Sequence, residues 1–63
     1  PKEGKIFYLM SSVYCQMDQA EKCFEQLERA VGLDSYFAVL ARNEEDFSSL
    51  KEDEKFKLIT EVE

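Results

Sequence analysis

Histidine and tryptophan are absent from this 63-residue sequence, and cysteine, proline and glycine are scarce. Without histidine the commonest general base is missing, and two cysteines alone do not complete a structural zinc site. One proline and two glycines leave few positions for tight turns, which favours a helical chain. We therefore expect an all-α protein that is not an enzyme, with no catalytic residue, no metal site and no cofactor.

Basic residues are also in the minority. Eight Lys and Arg stand against fourteen Asp and Glu, so the formal net charge is −6. This balance disfavours nucleic acid, whose phosphates need a basic patch, and it disfavours an anionic membrane surface. No apolar run approaches the roughly 18 residues that cross a bilayer, so we expect no membrane insertion. The acidic charge favours a basic or neutral protein partner.

The chain is short for an independent domain. A domain of this length buries only about 60% of its unfolded surface and usually needs further support. The sequence also starts at Pro1 and lacks an initiator methionine. We therefore expect a fragment or processed product, whose core is completed by other segments of the same protein or by a partner.

Cys15 and Cys23 are open to three interpretations: a disulfide, a reactive pair, or packing residues. Both lie in segments of helical pattern, where a buried reduced cysteine behaves as a small apolar residue. The packing role and a reducing compartment are therefore favoured, and the sequence carries no other indication of localisation. A redox-responsive pair is the alternative.

The first helix is predicted over residues 4–17. Its apolar residues recur at helical spacing, and Phe7 and Leu9 widen the apolar stripe, so this helix is expected to be covered on more than one side. The spaced residues are Ile6, Met10, Val13, Tyr14 and Met17.

The second helix has the cleaner amphipathic pattern. Asp18 is predicted as its N-cap, with Glu21 completing a capping box, and Gly32 as the left-handed residue that ends it. The inward residues are Ala20, Cys23, Phe24, Leu27, Ala30 and Val31. Because the connection between the two helices is very short, they should form an antiparallel hairpin.

The remaining residues predict short helical pieces. Asp34 is expected to cap the first piece, which carries Tyr36, Phe37, Val39 and Leu40. Asn43 is a second cap candidate, before a single apolar turn with Phe47 and Leu50. Asp53 should cap the last helix, whose inward residues would be Phe56, either Leu58 or Ile59, and Val62.

The hairpin resembles a tetratricopeptide repeat over residues 4–37. In the family pattern, an aromatic, a Leu, a Gly and a Tyr occupy spaced positions of the first helix, and an Ala and a Phe follow in the second. Without gaps, these positions fall on Phe7, Met10, Ser11, Tyr14, Cys23 and Leu27, followed by Ala30, Leu33, Asp34 and Ser35. Ser35 departs from the pattern by replacing a proline.

The resemblance implies a fold and an arrangement of domains. It implies an antiparallel hairpin over residues 4–37, a helical C-terminal cap over 38–63, and a place in an α-solenoid. The small residues Ser11, Cys23 and Ala30 would let the two helices approach closely. The segments Asp46-Phe47-Ser48-Ser49-Leu50 and Phe56-Lys57-Leu58-Ile59 resemble the ends of some repeat arrays, where a polar-backed helix covers the last apolar face.

The resemblance also implies a function as a protein-interaction scaffold or assembly factor. The first helix of such a repeat lines a groove that holds a partner. The corresponding residues are Lys5, Tyr8, Ser12, Cys15 and Gln16. The partner would be another protein or missing N-terminal repeats of the same protein, held also by Ile6, Leu9 and Val13. Alternatively, these residues only pack, and the chain is the structural C-terminal cap of a larger array.

The acidic stretches at residues 43–46 and 52–54 suggest a calcium loop, but their spacing is wrong for one. No glycine follows Asp46, and Phe47 falls among the would-be ligands. Helix caps and solvated faces account better for these acids.

Overall fold

The computed structural model describes residues 2–61, and within that range all regular structure is helical, with no strand. The expected all-α class is therefore confirmed. The elements in chain order are α1 (Lys2–Gln16), α2 (Ala20–Leu33), α3 (Tyr36–Asn43), a 3-10 helix (Glu45–Leu50) and α4 (Glu54–Thr60).

Helices α1 and α2 form the predicted antiparallel hairpin. The ring centroid of Phe7, early in α1, lies 5.7 Å from the guanidinium carbon of Arg29, late in α2. The ring centroid of Tyr14, late in α1, lies 5.8 Å from the ammonium nitrogen of Lys22, early in α2. The predicted inward residues of α2 are buried or half-buried, and Ser11, Cys23 and Ala30 are fully buried. Small side chains at a helix–helix contact allow close approach of the two backbones.

Asp18 does not cap α2, so that prediction was wrong. Its φ of 61° places it in the left-handed region. Its N–H donates to the Cys15 carbonyl (3.1 Å), and the N–H of Gln19 donates to the Tyr14 carbonyl (2.9 Å). This pair of bonds is the Schellman arrangement, in which a left-handed residue ends the preceding helix. Gln19 is the N-cap residue of α2 and makes no side-chain cap bond.

Gly32 does not end α2 either. No glycine within residues 2–61 has a positive φ, and Gly32 lies inside the helix. The helix ends one residue later, at Leu33, and Asp34 follows with an extended backbone and an N–H that donates to the Ala30 carbonyl (3.0 Å). An extended C-cap needs no left-handed residue, so the glycine signal was misplaced.

The acidic caps of the C-terminal pieces were predicted with mixed success. Asp53 is confirmed as the N-cap of α4, because its carboxylate accepts from the N–H groups of Lys55 (2.8 Å) and Phe56 (3.4 Å). Asp34 accepts from the N–H of Tyr36 at 3.0 Å, although Ser35 is the N-cap residue of α3. Asn43 is not a cap: it is the last residue of α3, and its side chain donates to the Val39 carbonyl at 2.8 Å.

The core lies between the hairpin and the residues after it. Phe47, Phe56 and Leu27 are among its largest fully buried side chains. On α4, Phe56 and Ile59 face the core, whereas Leu58 is 70% exposed. Val62 lies outside the described residues. The proposed boundary between residues 37 and 38 falls inside α3, and the division into repeat and cap stays a prediction.

Candidate partner-binding surfaces

Helix α1 presents two surfaces of functional interest. The first, called the groove face, consists of the predicted partner-binding residues Lys5, Tyr8, Ser12, Cys15 and Gln16. Lys5 and Gln16 are exposed, whereas Tyr8, Ser12 and Cys15 are buried. The structure therefore separates a buried middle of this face from two exposed ends. Whether the groove face binds a partner stays a prediction.

The middle of the groove face is covered by aromatic side chains from later in the chain. The Tyr8 ring stacks on Phe37, with centroids 5.3 Å apart, and lies 5.7 Å from the ring of Phe47. Phe47 in turn contacts Phe56, at 5.8 Å. Gly4 makes room for Phe37, because a Cβ at this position would lie only 2.8 Å from the Phe37 ring. This aromatic cluster connects α3 and the 3-10 helix to α1, and α4 joins it through the contact between Phe56 and Phe47.

Asp46 attaches the 3-10 helix to α1 through hydrogen bonds. The Ser12 hydroxyl donates to its carboxylate at 2.8 Å, and the Cys15 thiol donates to its backbone carbonyl at 3.0 Å. The Gln16 amide donates to the Ser12 hydroxyl at 3.2 Å and extends this network toward solvent. The Ser12 hydroxyl and the Cys15 thiol are therefore hydrogen-bonded within the chain itself.

Burial controls the ionisation of Tyr8. Desolvation, followed by the nearby carboxylates of Glu44 and Asp46, raises the pKa of the Tyr8 hydroxyl to about 12. This hydroxyl is buried and has no hydrogen-bond partner among the described residues. The side chain thus acts through its ring and stays neutral at physiological pH.

The two cysteines are free thiols packed inside the hairpin. Burial, followed by the charge and hydrogen bond of neighbouring Cys15, raises the pKa of the Cys23 thiol to about 12. Because the thiolate is the reactive species, a thiol with a raised pKa is a poor nucleophile. This environment favours the packing role over the redox-responsive pair.

The second surface, called the outer face, lies on the opposite side of α1. It consists of Ile6, Leu9, Met10, Val13 and Met17. All five are exposed, with Leu9 53% and Val13 54% accessible to solvent. A shallow cavity of about 290 Å³ lies on this face and is lined by Leu9, Met10, Val13 and Tyr14.

Charge is missing from the outer face. Residues 6–17 contain no Asp, Glu, Lys or Arg, although 35% of the whole sequence is charged. The solvent side of α2 shows the contrast, since the exposed residues between Ala20 and Ala30 are Glu21, Lys22, Glu25, Glu28 and Arg29. A contiguous apolar patch on a soluble surface usually marks an interaction site.

Two larger cavities also lie within residues 2–61, and the one lined by Arg42, Lys51 and Lys57 measures about 400 Å³. No three His, Cys, Asp or Glu side chains of this range form a group suited to a metal ion. No helix in the same range is long and apolar enough to cross a membrane. Compared with models of known families, with curated proteins and with solved structures, the chain has no significant match.

The sequence interpretation missed Asp46 and Phe47 as neighbours of the groove face. Asp46 was considered as a calcium ligand or surface acid and Phe47 as part of a single apolar turn, and both were assigned to a segment that resembles the end of a repeat array. Their contacts with α1 span more than thirty residues of sequence, and no local spacing predicts such a pairing. The Asp46-Phe47 pair was the available signal in the sequence. It was interpreted only as part of a segment that covers the last apolar face of a repeat array.

Proposed function

We propose that this chain is a protein-interaction module that docks a helix of a protein partner on the outer face of α1. The proposal rests on one observation: five neighbouring apolar side chains of a charged protein are solvent-exposed on a single helix face. Both thiols are buried, burial raises the pKa of the Cys23 thiol, and histidine is absent from the sequence, which supports a binding role over a catalytic one.

The size of the outer face indicates what kind of docking it supports. Each of its side chains is about half exposed, so covering it is worth about 1 kcal/mol, or about 5 kcal/mol for the five. Association of separate molecules costs roughly 4 kcal/mol or more in lost translational and rotational freedom. Docking on this face alone is therefore weak between separate chains. It is much more favourable for a segment of the same polypeptide, which loses less freedom.

This energetic difference supports a place in a helical repeat array. The resemblance to a tetratricopeptide repeat, carried by Phe7, Tyr14, Leu27 and Ala30, points the same way. In such an array a preceding hairpin would cover the outer face of α1. The residues after α2 would cover the apolar surface at the other end of the array. The α-solenoid arrangement is part of this proposal.

A purely structural cap is the second candidate. It is favoured by the buried state of Tyr8, Ser12 and Cys15, because a groove face filled by the chain's own residues leaves no free groove. In this case the outer face packs permanently against one neighbour and exchanges no ligand.

The test is a comparison of three proteins: the unmodified chain, the double variant Leu9→Asp with Val13→Asp, and the control Leu58→Asp. Leu58 is 70% exposed and lies on α4, away from the outer face. Proteins captured from cells by each bait are identified by mass spectrometry. The strongest candidate is then purified and titrated against all three proteins by calorimetry.

Our expectation is that the purified partner binds the unmodified chain and the Leu58 variant equally and that the double variant loses binding. All three proteins should show the same helical circular dichroism, because the changed residues are already exposed. A partner that binds the double variant as well as the unmodified chain would remove the outer face from the proposal. A partner that never dissociates would favour the structural cap.

A further inference from the structure

Three basic side chains line one cavity formed by the residues after α2. Its volume is about 400 Å³. The lining residues are Arg42, Lys51, Phe56, Lys57, Thr60 and Glu61. Phe56 and Thr60 are buried, whereas the four charged residues are exposed or half-buried. The charged groups therefore surround a space that is open to solvent, and we call it the basic cavity.

Three helical elements end at the basic cavity, and each contributes one cation. Arg42 lies in the last turn of α3, Lys57 lies in the last turn of α4, and Lys51 directly follows the 3-10 helix. Carbonyl groups at a helix C-terminus carry partial negative charge, which favours basic residues there. Electrostatics at the helix ends thus account for the convergence of the three cations.

Two of these cations have no ionic partner among the described residues. Lys57 pairs with Glu52, Nζ to Oε1 at 3.5 Å, but neither Arg42 nor Lys51 has a carboxylate oxygen within 4.0 Å inside residues 2–61. Arg42 donates one long hydrogen bond, to the Thr60 carbonyl at 3.5 Å, and a guanidinium has five N–H donors. Most of these donors and the half-buried ammonium of Lys51 are left for water or a ligand.

The surrounding sequence is acidic, so the placement of the charges matters more than their sum. Residues 42–61 contain seven acids and four bases. Among the described residues, three of these four bases line the cavity, and Glu61 is the one acid that does. The lining thus has a formal charge of +2, three cations and one carboxylate. Because the other acids repel an anion at longer range, binding depends on direct hydrogen bonds to the lining cations.

We propose that the basic cavity binds a ligand that carries a phosphate monoester group. Such a group has a charge of about −1.5 to −2 at pH 7 and three acceptor oxygens. The planar fork of Arg42 matches two of these oxygens, and the Lys51 ammonium acts as a point charge on the third. A carboxylate has one charge and two oxygens and would leave one of these cations unpaired.

The cavity has room for more than the phosphate group itself. Its volume lies within the range of small-molecule sites, roughly 300 to 1,000 Å³, so the organic part of an ester also fits. None of the lining residues belongs to α1. The basic cavity is therefore separate from the outer face, and this inference goes beyond the proposed function.

A titration followed by nuclear magnetic resonance tests the inference on the full chain. The isotope-labelled protein is titrated at neutral pH with inorganic phosphate, with phosphoserine whose termini are blocked, and with acetate. We expect both phosphate compounds to cause saturable shifts of the backbone amide signals of Lys51, Lys57 and Thr60. Acetate should bind about tenfold more weakly, because it makes fewer charge-assisted hydrogen bonds.

The residues responsible are tested with neutral substitutions. The double variant Arg42→Gln with Lys51→Gln should bind phosphate about tenfold more weakly or worse. The matched control is Lys22→Gln with Arg29→Gln, which also removes one lysine and one arginine, both exposed and outside the cavity. It should keep the affinity within about twofold. Circular dichroism melting checks that each variant is folded, and Lys51→Gln alone serves if the double variant is not.

The source of the phosphate group is tested with phosphoserine placed inside a peptide. Both outcomes of this comparison support the basic cavity. Tighter binding of the peptide than of the blocked amino acid would identify a phosphorylated protein as the ligand. Equal binding would identify a small phosphate ester.

Other outcomes would overturn the inference. These are the absence of saturable shifts, an equal loss of affinity in the control and the cavity variant, and acetate that binds as tightly as phosphate. The variant Leu9→Asp with Val13→Asp should bind phosphate like the unmodified chain, because it leaves the cavity intact. A failure of the outer face as a docking site is therefore distinguishable from a failure of the basic cavity.

Discussion

Tyr8 shows how a single side chain can be an essential packing residue while its polar atom makes no hydrogen bond. Its ring stacks on Phe37 and contacts Phe47, but its buried hydroxyl lacks a partner within residues 2–61. A buried hydroxyl without a partner costs free energy, because it has left water and gained no hydrogen bond. The contribution of Tyr8 to stability therefore comes from its ring.

We predict that Tyr8→Phe leaves the free energy of unfolding at pH 7 unchanged or raises it by up to about 1 kcal/mol. The pH dependence gives a second signature. The unfolded tyrosine has a pKa of 10.0 and the folded one about 12, so between these values only the unfolded chain releases the proton. Stability then falls as pH rises through this window, and the Phe variant should fall less.

Urea unfolding at pH 7 and at alkaline pH measures both effects. The Cys23 thiol is common to the two proteins and cancels in the comparison. Tyr36→Phe is the control, since Tyr36 is 58% exposed and its hydroxyl is accessible to water. A loss above about 1 kcal/mol at pH 7 in the Tyr8 variant would mean that its hydroxyl has a stabilising partner in solution.

At the scale of helices, the acidic residues at the ends show what the sequence can predict. Asp18 and Asp53 both precede a helical pattern, and both were predicted as N-caps. Asp53 is one, but Asp18 is the left-handed C′ residue of the preceding helix. Aspartate is tolerated in both positions, because its short side chain bonds nearby backbone groups. Where the sequence pattern leaves a single residue between two helices, the residue type alone does not decide whether that residue ends the first helix or caps the second.

Substitution should separate these two roles. Asp53→Ala removes the acceptor for two N–H groups and should cost about 1 kcal/mol of stability. Asp18→Gly should cost nothing or stabilise by up to about 1 kcal/mol, because glycine adopts a positive φ without strain. Asp18→Asn removes the negative charge near the helix C-terminus but does not introduce a glycine. It therefore shows how much of the effect of Asp18→Gly comes from charge and how much from the positive φ. If Asp18→Gly destabilised as much as Asp53→Ala, the capping role would have to be restored to Asp18.

The two helices of the hairpin also differ in how far their surroundings follow from sequence. Helix α2 has one apolar face and one charged face, so its inward residues Cys23, Phe24 and Leu27 were predicted correctly. Helix α1 is apolar or neutral all round between Ile6 and Met17. Its apolar stripe does not say which side the chain itself covers, because Ile6, Met10 and Val13 of the stripe are exposed, whereas the buried residues are Tyr8, Ser11, Ser12 and Cys15. That choice depends on Phe37, Asp46 and Phe47, whose contacts with α1 are long-range.

At the scale of the whole molecule, the segment after α2 has two structural tasks. It completes the core through Phe47 and Phe56, and it hides the middle of the groove face. A 63-residue chain has a total stability of roughly 3 to 9 kcal/mol. Removal of one fully buried phenylalanine costs roughly 3 to 5 kcal/mol. Phe47 therefore accounts for a large share of the free energy that keeps this segment attached.

We predict that Phe47→Ala detaches the segment from α1 and makes the Cys15 thiol react faster with a thiol reagent. Cys15 is shielded by Asp46, whose carbonyl its thiol contacts at 3.0 Å, and by Ser49 at 3.9 Å. Cys23 is fully buried and belongs to the face that α2 turns inward. Mass spectrometry of the labelled peptides distinguishes the two thiols, and circular dichroism reports whether the hairpin persists. Leu58→Ala is the control, because Leu58 is largely exposed and its loss should change neither rate.

Fast labelling of Cys15 alone would mean that the hairpin survives with its groove face open, the state in which Lys5, Tyr8, Ser12, Cys15 and Gln16 are able to bind a partner. Fast labelling of both thiols would mean that hairpin and segment unfold together. Unchanged labelling of both would contradict the assignment of Phe47 as the residue that holds the segment in place.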